Sequence, residues 1–167
     1  STQAMRQPGS AFKPFVYLAA LEAGYTPASV VLDAPFVIDQ GGDLGVWKPE
    51  NYGREFGGPS TLRLGIEKSR NLMTVRLANI LGMNQVLDVA KRFGIGSFEP
   101  HLSIALGSGE TTLLKLTTAY AMLINGGKRI NPALIERIQD RDGRTILRRD
   151  KRACRGCQDP LESSPTA

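Results

Sequence analysis

Residues 11–22 are apolar on almost every side of a helix. They carry Phe12, Phe15, Val16, Leu18, Ala19, Ala20 and Leu21, and Gly24 follows as a stop signal. This pattern predicts a helix that needs neighbours all round it, buried inside a domain with other elements packed against it. Pro8-Gly9 reads as a turn just before, which places Ser10 at the N-cap or in the first turn. The same buried helix opens with Ser10-x-x-Lys13. Residues three apart share a face, so the Lys13 amine is directed back toward the Ser10 hydroxyl. A low-dielectric setting disfavours the ammonium and lowers its pKa, and the neutral amine can then take the serine proton. Backbone N–H groups and the positive dipole end at a helix start suit a developing oxyanion. A bare S-x-x-K is short and common, however. By itself it reads as a serine cap and a lysine whose head reaches water.

The other totals set bounds. A chain of 167 residues is one domain or part of one. With 41% hydrophobic and 22% charged residues it has the composition of a globular protein with a core. No apolar run approaches the ~18–20 residues of a membrane span, and nothing resembles a signal peptide. The opening Ser1-Thr2-Gln3-Ala4-Met5 reads as mid-sequence. A longer parent is therefore expected, with any targeting or anchoring segment upstream. The net charge of +5 is local: residues 137–155 hold eight Lys or Arg against three Asp, and the remainder is balanced. A solvated basic loop accounts for that.

Along the chain, residues 30–35 and 36–39 read as two short extended pieces, the second at an edge because of Pro35. Residues 41–45 read as a glycine turn, and residues 47–52 as an irregular aromatic and polar loop, either binding surface or packing. Ser60-Thr61 is an N-cap pair for a helix carrying Leu62, Leu64 and Ile66. The pattern breaks at Ser69-Arg70-Asn71, and a new amphipathic run continues through Leu72, Met73, Val75, Leu77, Ala78, Ile80 and Leu81 to Gly82. A Ser-x-Asn between helices is ordinarily a turn or cap. A third helix is expected over 84–93, capped by Asn84. A strand-like piece is expected over 103–110, and a fourth helix from Thr111 or Thr112 to Ile124. Gly107-x-Gly109 lacks the G-K-[ST] of a phosphate loop. Arg141-Asp142-Gly143-Arg144 marks a hairpin between 133–138 and 145–147. Cys154-x-x-Cys157 is compatible with half a zinc site, a redox pair or a local disulfide. With no second such motif and a single histidine, His101, zinc lacks ligands, so a short disulfide in an exposed loop is the expectation in an oxidising compartment. The Pro- and Ser-rich tail beyond it is expected to be disordered.

The segment R-Q-P-G-S-A-F-K-P-F-V-Y-L-A-A-L resembles, almost letter for letter, the active-site helix of class A penicillin-binding proteins. Three further phrases are similar to that family in the same order: Trp47-x-Pro49-x-Asn51-Tyr52, then E-K-S-R-N-L-M-T-V-R-L-A around Ser69 and Asn71, then the run over 107–127. The resemblance covers roughly residues 4–150. It implies an α/β (α+β) penicillin-binding and serine β-lactamase-like transpeptidase fold. A partial domain is expected over 1–150, mostly the helical part with the sheet incomplete, and a Cys-x-x-Cys loop and tail over 151–167. It implies a peptidoglycan D,D-transpeptidase in which Ser10 is the acylated nucleophile and Lys13 its base. Ser69 would relay a proton, and Asn71 would orient the substrate amide. No metal or organic cofactor is implied. The implied partners are peptidoglycan stem peptides and β-lactams. The implied parent is membrane-anchored, carries a glycosyltransferase domain, and faces the periplasm or outer surface of the bacterial inner membrane.

One departure stands out. The family's third motif, Lys-[Thr/Ser]-Gly on a strand, does not occur in these residues; Lys115-Leu116-Thr117 lacks the glycine and falls in an expected helix. That strand supplies an oxyanion-hole N–H, so a complete cleft is expected to need further segments. A non-catalytic β-lactam-binding or sensor domain of the same fold is the alternative. A Ser-His-Asp triad would have to use His101, which sits in an unremarkable loop. A basic nucleic-acid-binding module is a remote reading, because the Arg residues interleave with Asp and lack stacking aromatics.

Overall fold

The computed structural model describes residues 2–39 and 45–150. Most of the expected glycine turn at 41–45, the Cys154-x-x-Cys157 motif and the tail lie outside the described residues. The chain divides into two compact units, Ser1–Ile130 and Asn131–Ala167.

In the first unit the buried helix α1 (Lys13–Glu22) is central, and Phe15, Val16 and Ala20 are wholly inaccessible. Packed around it are α2 (Leu62–Glu67), α3 (Asn71–Leu81) and α4 (Met83–Arg92). These helices contribute Leu62, Leu77, Ala78, Val86, Val89 and Ala90 to one core with α1. The Phe15 ring meets Phe12 at 6.0 Å, Phe93 at 5.5 Å and Tyr120 at 5.8 Å between centroids. Tyr120 belongs to α5 (Leu113–Ile124). Each fully buried side chain of this size contributes about 1.5–3 kcal/mol of transfer free energy. Most of the apolar pattern of residues 11–22 is thereby accounted for; Leu21 is the exception, at 44% exposed.

Strands occur only as short antiparallel pairs among the described residues. β1 (Met5–Arg6) pairs with β6 (Thr111–Thr112), β2 (Val30–Asp33) with β5 (Gly58–Thr61), and β3 (Ile38–Asp39) with β4 (Val46–Trp47). Helices with small antiparallel pairs make this an α+β arrangement. Among the described residues no helix is long and apolar enough to cross a membrane. In the second unit, β7 (Arg137–Gln139) and β8 (Thr145–Arg148) form the expected hairpin. Its turn is closed by Asp140 Oδ1, which accepts from the N–H groups of Asp142 at 2.9 Å and Arg144 at 2.8 Å.

Several local expectations are corrected. The helix does not run from residue 11: a 3₁₀ turn, Gly9–Phe12, precedes α1, and the Lys13 N–H bonds to the Ser10 carbonyl. Pro14, in the first turn of α1, has no N–H to give that carbonyl an i→i−4 bond, so the tighter bond closes instead. Residues 103–110 are not a strand. Leu102–Leu106 is a 3₁₀ helix closed by Gly107 N–H on the Ile104 carbonyl at 2.8 Å. Asn84 does not cap α4, which starts one residue earlier after Gly82. Of the two candidate caps for α5, Thr112 accepts from Lys115 N–H at 3.3 Å, while the Thr111 hydroxyl donates to the Ile95 carbonyl at 2.7 Å.

Candidate active site

Ser10 is exposed on the 3₁₀ turn ahead of α1. Two remote segments hold that turn. Gly9 N–H donates to the Gly107 carbonyl at 3.2 Å, and the Tyr120 hydroxyl donates to the Ala11 carbonyl at 2.8 Å. Gly107 has to be glycine: its φ is +78°, and a Cβ there would lie 2.1 Å from the Gly9 carbonyl oxygen. The two backbones touch because Gly107 has no side chain to separate them; a Cβ on Gly9 would meet nothing within 4 Å.

Lys13, at the start of α1, is 1% exposed. Its amine donates to the Ser69 carbonyl at 2.6 Å, to Ser69 Oγ at 2.9 Å and to Asn71 Oδ1 at 2.6 Å. Three acceptors for three ammonium protons saturate the charged form. Burial nevertheless holds the pKa at about 8, below the ordinary lysine value of 10.5. With that value roughly a tenth of the amine is neutral near pH 7. A group poised like this both accepts and returns a proton.

The turn that supplies those oxygens lies between α2 and α3. Ser69 is exposed and left-handed at φ +51°, Arg70 is the N-cap of α3, and Asn71 is its first residue. Asn71 Nδ2 donates to the Glu50 carbonyl at 2.8 Å, which fixes the amide so that its oxygen faces the lysine. The structure therefore brings Lys13, Ser69 and Asn71 together, with Ser10 one turn before Lys13. Among the described residues no hydrogen bond joins the Ser10 hydroxyl to the Lys13 amine, which is turned toward the Ser69–Asn71 side. His101 is exposed at the start of the 3₁₀ helix 102–106 and has no place in this cluster. Among the described residues no group of three or more His, Cys, Asp or Glu side chains is placed to hold a metal ion.

Sequence reasoning missed a second polar group beneath this one. Asn51, in the aromatic and polar loop 47–52, is buried, and so is Asp33 at the end of β2. Asn51 Nδ2 donates to Asp33 Oδ1 at 2.7 Å and to the Glu55 carbonyl at 2.9 Å. Its Oδ1 accepts the Leu72 N–H at 3.2 Å. The available signal was alternation: Val31 and Asp33 occupy the two inward positions of β2, which puts a carboxylate where an apolar residue is the rule.

The sequence matches the penicillin binding protein transpeptidase domain family over residues 1–158. It is 52% identical over 157 residues to penicillin-binding protein 1A of Rickettsia bellii, covering 93% of this chain and 20% of that protein. The crystal structure of penicillin-binding protein 1A from Haemophilus influenzae superposes with a TM-score of 0.83 at 37% identity, over 89% of this chain and 22% of that one. A Mycobacterium tuberculosis penicillin-binding protein in complex with penicillin V gives a TM-score of 0.75 at 27% identity, over 87% of this chain and 42% of the other. The chain spans about a fifth of the length of the curated relatives it matches.

Proposed function

The chain belongs to the penicillin-binding protein transpeptidase domain family, and from that membership we propose that, within its full-length protein, it forms part of a D,D-transpeptidase acting on peptidoglycan stem peptides. The observation that supports this most is the buried Lys13 amine, bound to Ser69 and Asn71 and one turn from the exposed Ser10. In its neutral form Lys13 takes the Ser10 proton as Oγ attacks the carbonyl of the penultimate D-Ala. The C–N bond to the terminal D-Ala then breaks. Its nitrogen receives a proton through the Ser69 hydroxyl, which is replenished by the Lys13 ammonium. The amine of a second stem peptide attacks the acyl-Ser10 ester and gives up a proton to the lysine. Collapse returns Ser10 Oγ with its hydrogen and leaves a cross-link. Asn71 orients the substrate amide during both halves. β-Lactams acylate Ser10 in the same way, because their amide occupies the place of the D-Ala-D-Ala bond. Such a substrate puts the domain on the extracytoplasmic side, where the wall is built.

The test uses the full-length protein, a stem pentapeptide ending in D-Ala-D-Ala, and an acceptor stem amine. Release of D-Ala with formation of a cross-linked dimer is expected. Both should fall at least ~100-fold in Ser10→Ala and in Lys13→Met, the scale of a lost nucleophile or general base. Penicillin acylation without any D-Ala release or dimer would favour the binder or sensor reading and overturn the enzymatic one.

A further inference from the structure

The turn that presents Ser69 and Asn71 to the lysine is not a conformation the chain adopts for its own sake. Ser69 is left-handed, a region that L-residues other than Gly and Asn enter at a steric cost. It persists because its surroundings impose it. Local backbone bonds from Ser69 N–H to the Ile66 carbonyl at 3.1 Å and from Arg70 N–H to the Gly65 carbonyl at 2.9 Å close the end of α2. The Lys13 amine itself holds Ser69 and Asn71, and the remaining restraints, but for those of one residue, come from the segment 33–57. Leu72 N–H is held by Asn51, Asn71 Nδ2 by the Glu50 carbonyl, and Arg70 Nη1 by the Glu55 carbonyl at 3.3 Å. Arg70 Nε also pairs with Asp33 Oδ2 at 3.5 Å. The exception is the Thr74 hydroxyl, which from α3 itself holds the Arg70 carbonyl at 2.8 Å.

These restraints converge on Asp33. Its carboxylate is 0% exposed, and its oxygens are taken by Asn51 Nδ2, by Gly57 N–H at 2.9 Å and by Arg70. Arg76 of α3 fixes the strand end on either side of it, with bonds to the carbonyls of Leu32 at 3.0 Å, Ala34 at 3.2 Å and Pro35 at 3.1 Å. A wholly buried carboxylate is expensive to keep, and an apolar residue at an inward strand position is ordinarily at least as stable. The arrangement makes sense if the charge organises something. We propose that Asp33 is a positioning residue for the active site: through Asn51 and Arg70 it clamps the Ser69–Asn71 turn over the Lys13 amine, giving the amine its hydrogen-bond partners and excluding water from it. The proposal rests on the transpeptidase reading only for its kinetic arm.

The test is made on the full-length protein with two variants. Asp33→Asn keeps the shape and removes the charge. Arg70→Gln breaks the ion pair from a partly exposed position and leaves Asp33 its bonds from Asn51 and Gly57; either variant alone tests the clamp, provided urea unfolding shows it folded. The first readout is the titration of Lys13, followed by NMR of ¹³C-labelled lysine and assigned by its loss in Lys13→Met. In wild type it is expected near 8, where burial lowers it; in the variants the water admitted relieves that burial, outweighs the loss of the acceptors and moves it toward 10.5, the ordinary lysine value. The second readout is penicillin acylation, expected to lose ~100-fold in its limiting rate with little change in the preceding binding constant, the signature of a misplaced catalytic group. Val86→Ala, a cavity in the core face of α4 that removes none of the bonds to the turn, serves as the control for general loosening. Variants that keep the Lys13 titration near 8, or a control that moves it as far, would overturn the proposal. A moved titration in a protein whose wild type never acylates would uphold the clamp and refute the transpeptidase reading instead.

Discussion

Gly107→Ala separates a buttressed Ser10 turn from one that merely happens to lie nearby. The added Cβ would sit 2.1 Å from the Gly9 oxygen, 2.5 Å from its nitrogen and 2.7 Å from its carbonyl carbon, against the roughly 3.5 Å of an unstrained contact. All three atoms are backbone, so no side chain can swing aside, and the turn holding Ser10 must shift by about 1 Å. The left-handed backbone costs an alanine about 1–2 kcal/mol, and forcing an extra carbon into a packed site costs about 1–3 kcal/mol more. A loss of about 2–5 kcal/mol is therefore expected, or roughly 4–20 °C in Tm for a chain of this size. Gly94→Ala is the matched control. Its φ is +72°, but nothing lies within 4 Å of the added carbon, so only the backbone cost applies. Urea unfolding of the two variants gives the difference, and stopped-flow acylation by a fluorescent penicillin in the full-length protein gives the consequence. About 100-fold slower acylation is expected for Gly107→Ala and near-normal acylation for Gly94→Ala, since a misplacement of about 1 Å carries that penalty. Equal destabilisation and equal acylation in the two variants would refute the contact as the support of the turn.

Lys13 makes stability depend on pH in a definite direction. Its folded pKa of about 8 lies below the 10.5 of the unfolded chain, so between those values the unfolded state binds more protons. Stability therefore rises as pH rises through that window. Lys13→Met should lack this contribution in denaturant titrations, and an unchanged slope would contradict the burial of the amine. The acylation rate should climb with pH and level off above about 8, where the amine is neutral; a flat profile from pH 6 to 9 would count against Lys13 as the base. Thr112→Ala removes the acceptor for Lys115 N–H at the start of α5 and should cost about 0.5–2 kcal/mol in chemical denaturation. Thr111→Ala, which leaves that cap intact, should instead expose the buried Ile95 carbonyl to a lost partner.

What the sequence disclosed follows the range of the interactions. Helix α1 was legible as a long apolar run between Pro-Gly and a stopping Gly24, α3 because its apolar residues recur with helical period, and the hairpin because Asp-Gly at its turn is a local signal. Ser10, Lys13, Ser69 and Asn71 were legible because two short phrases carry them, and the structure brings the last three into one hydrogen-bonded cluster. The 3₁₀ helix at Leu102–Leu106 was misread because Ile104-Ala105-Leu106 is too short an apolar run for its period to distinguish strand from helix. The late start of α1 depends on one missing N–H at Pro14, which a hydrophobic pattern does not register. Asp33 and Asn51 escaped notice because their bond spans eighteen positions, and neither residue type announces burial. Gly107 was weighed only as a remnant of a phosphate loop. Its actual constraint, contact with Gly9, joins segments almost a hundred residues apart, and no local motif encodes it.

The proposed transpeptidase chemistry requires Ser10 as its nucleophile. The decisive measurement is tandem mass spectrometry of the full-length protein after reaction with benzylpenicillin and digestion with trypsin. The peptide that carries Ser10 runs over 7–54, because Lys13 and Lys48 are both followed by proline. A penicilloyl group localised to Ser10, and absent from Ser10→Ala, is the predicted result. An adduct on any other serine, or a folded protein with no adduct at all, would contradict the claim.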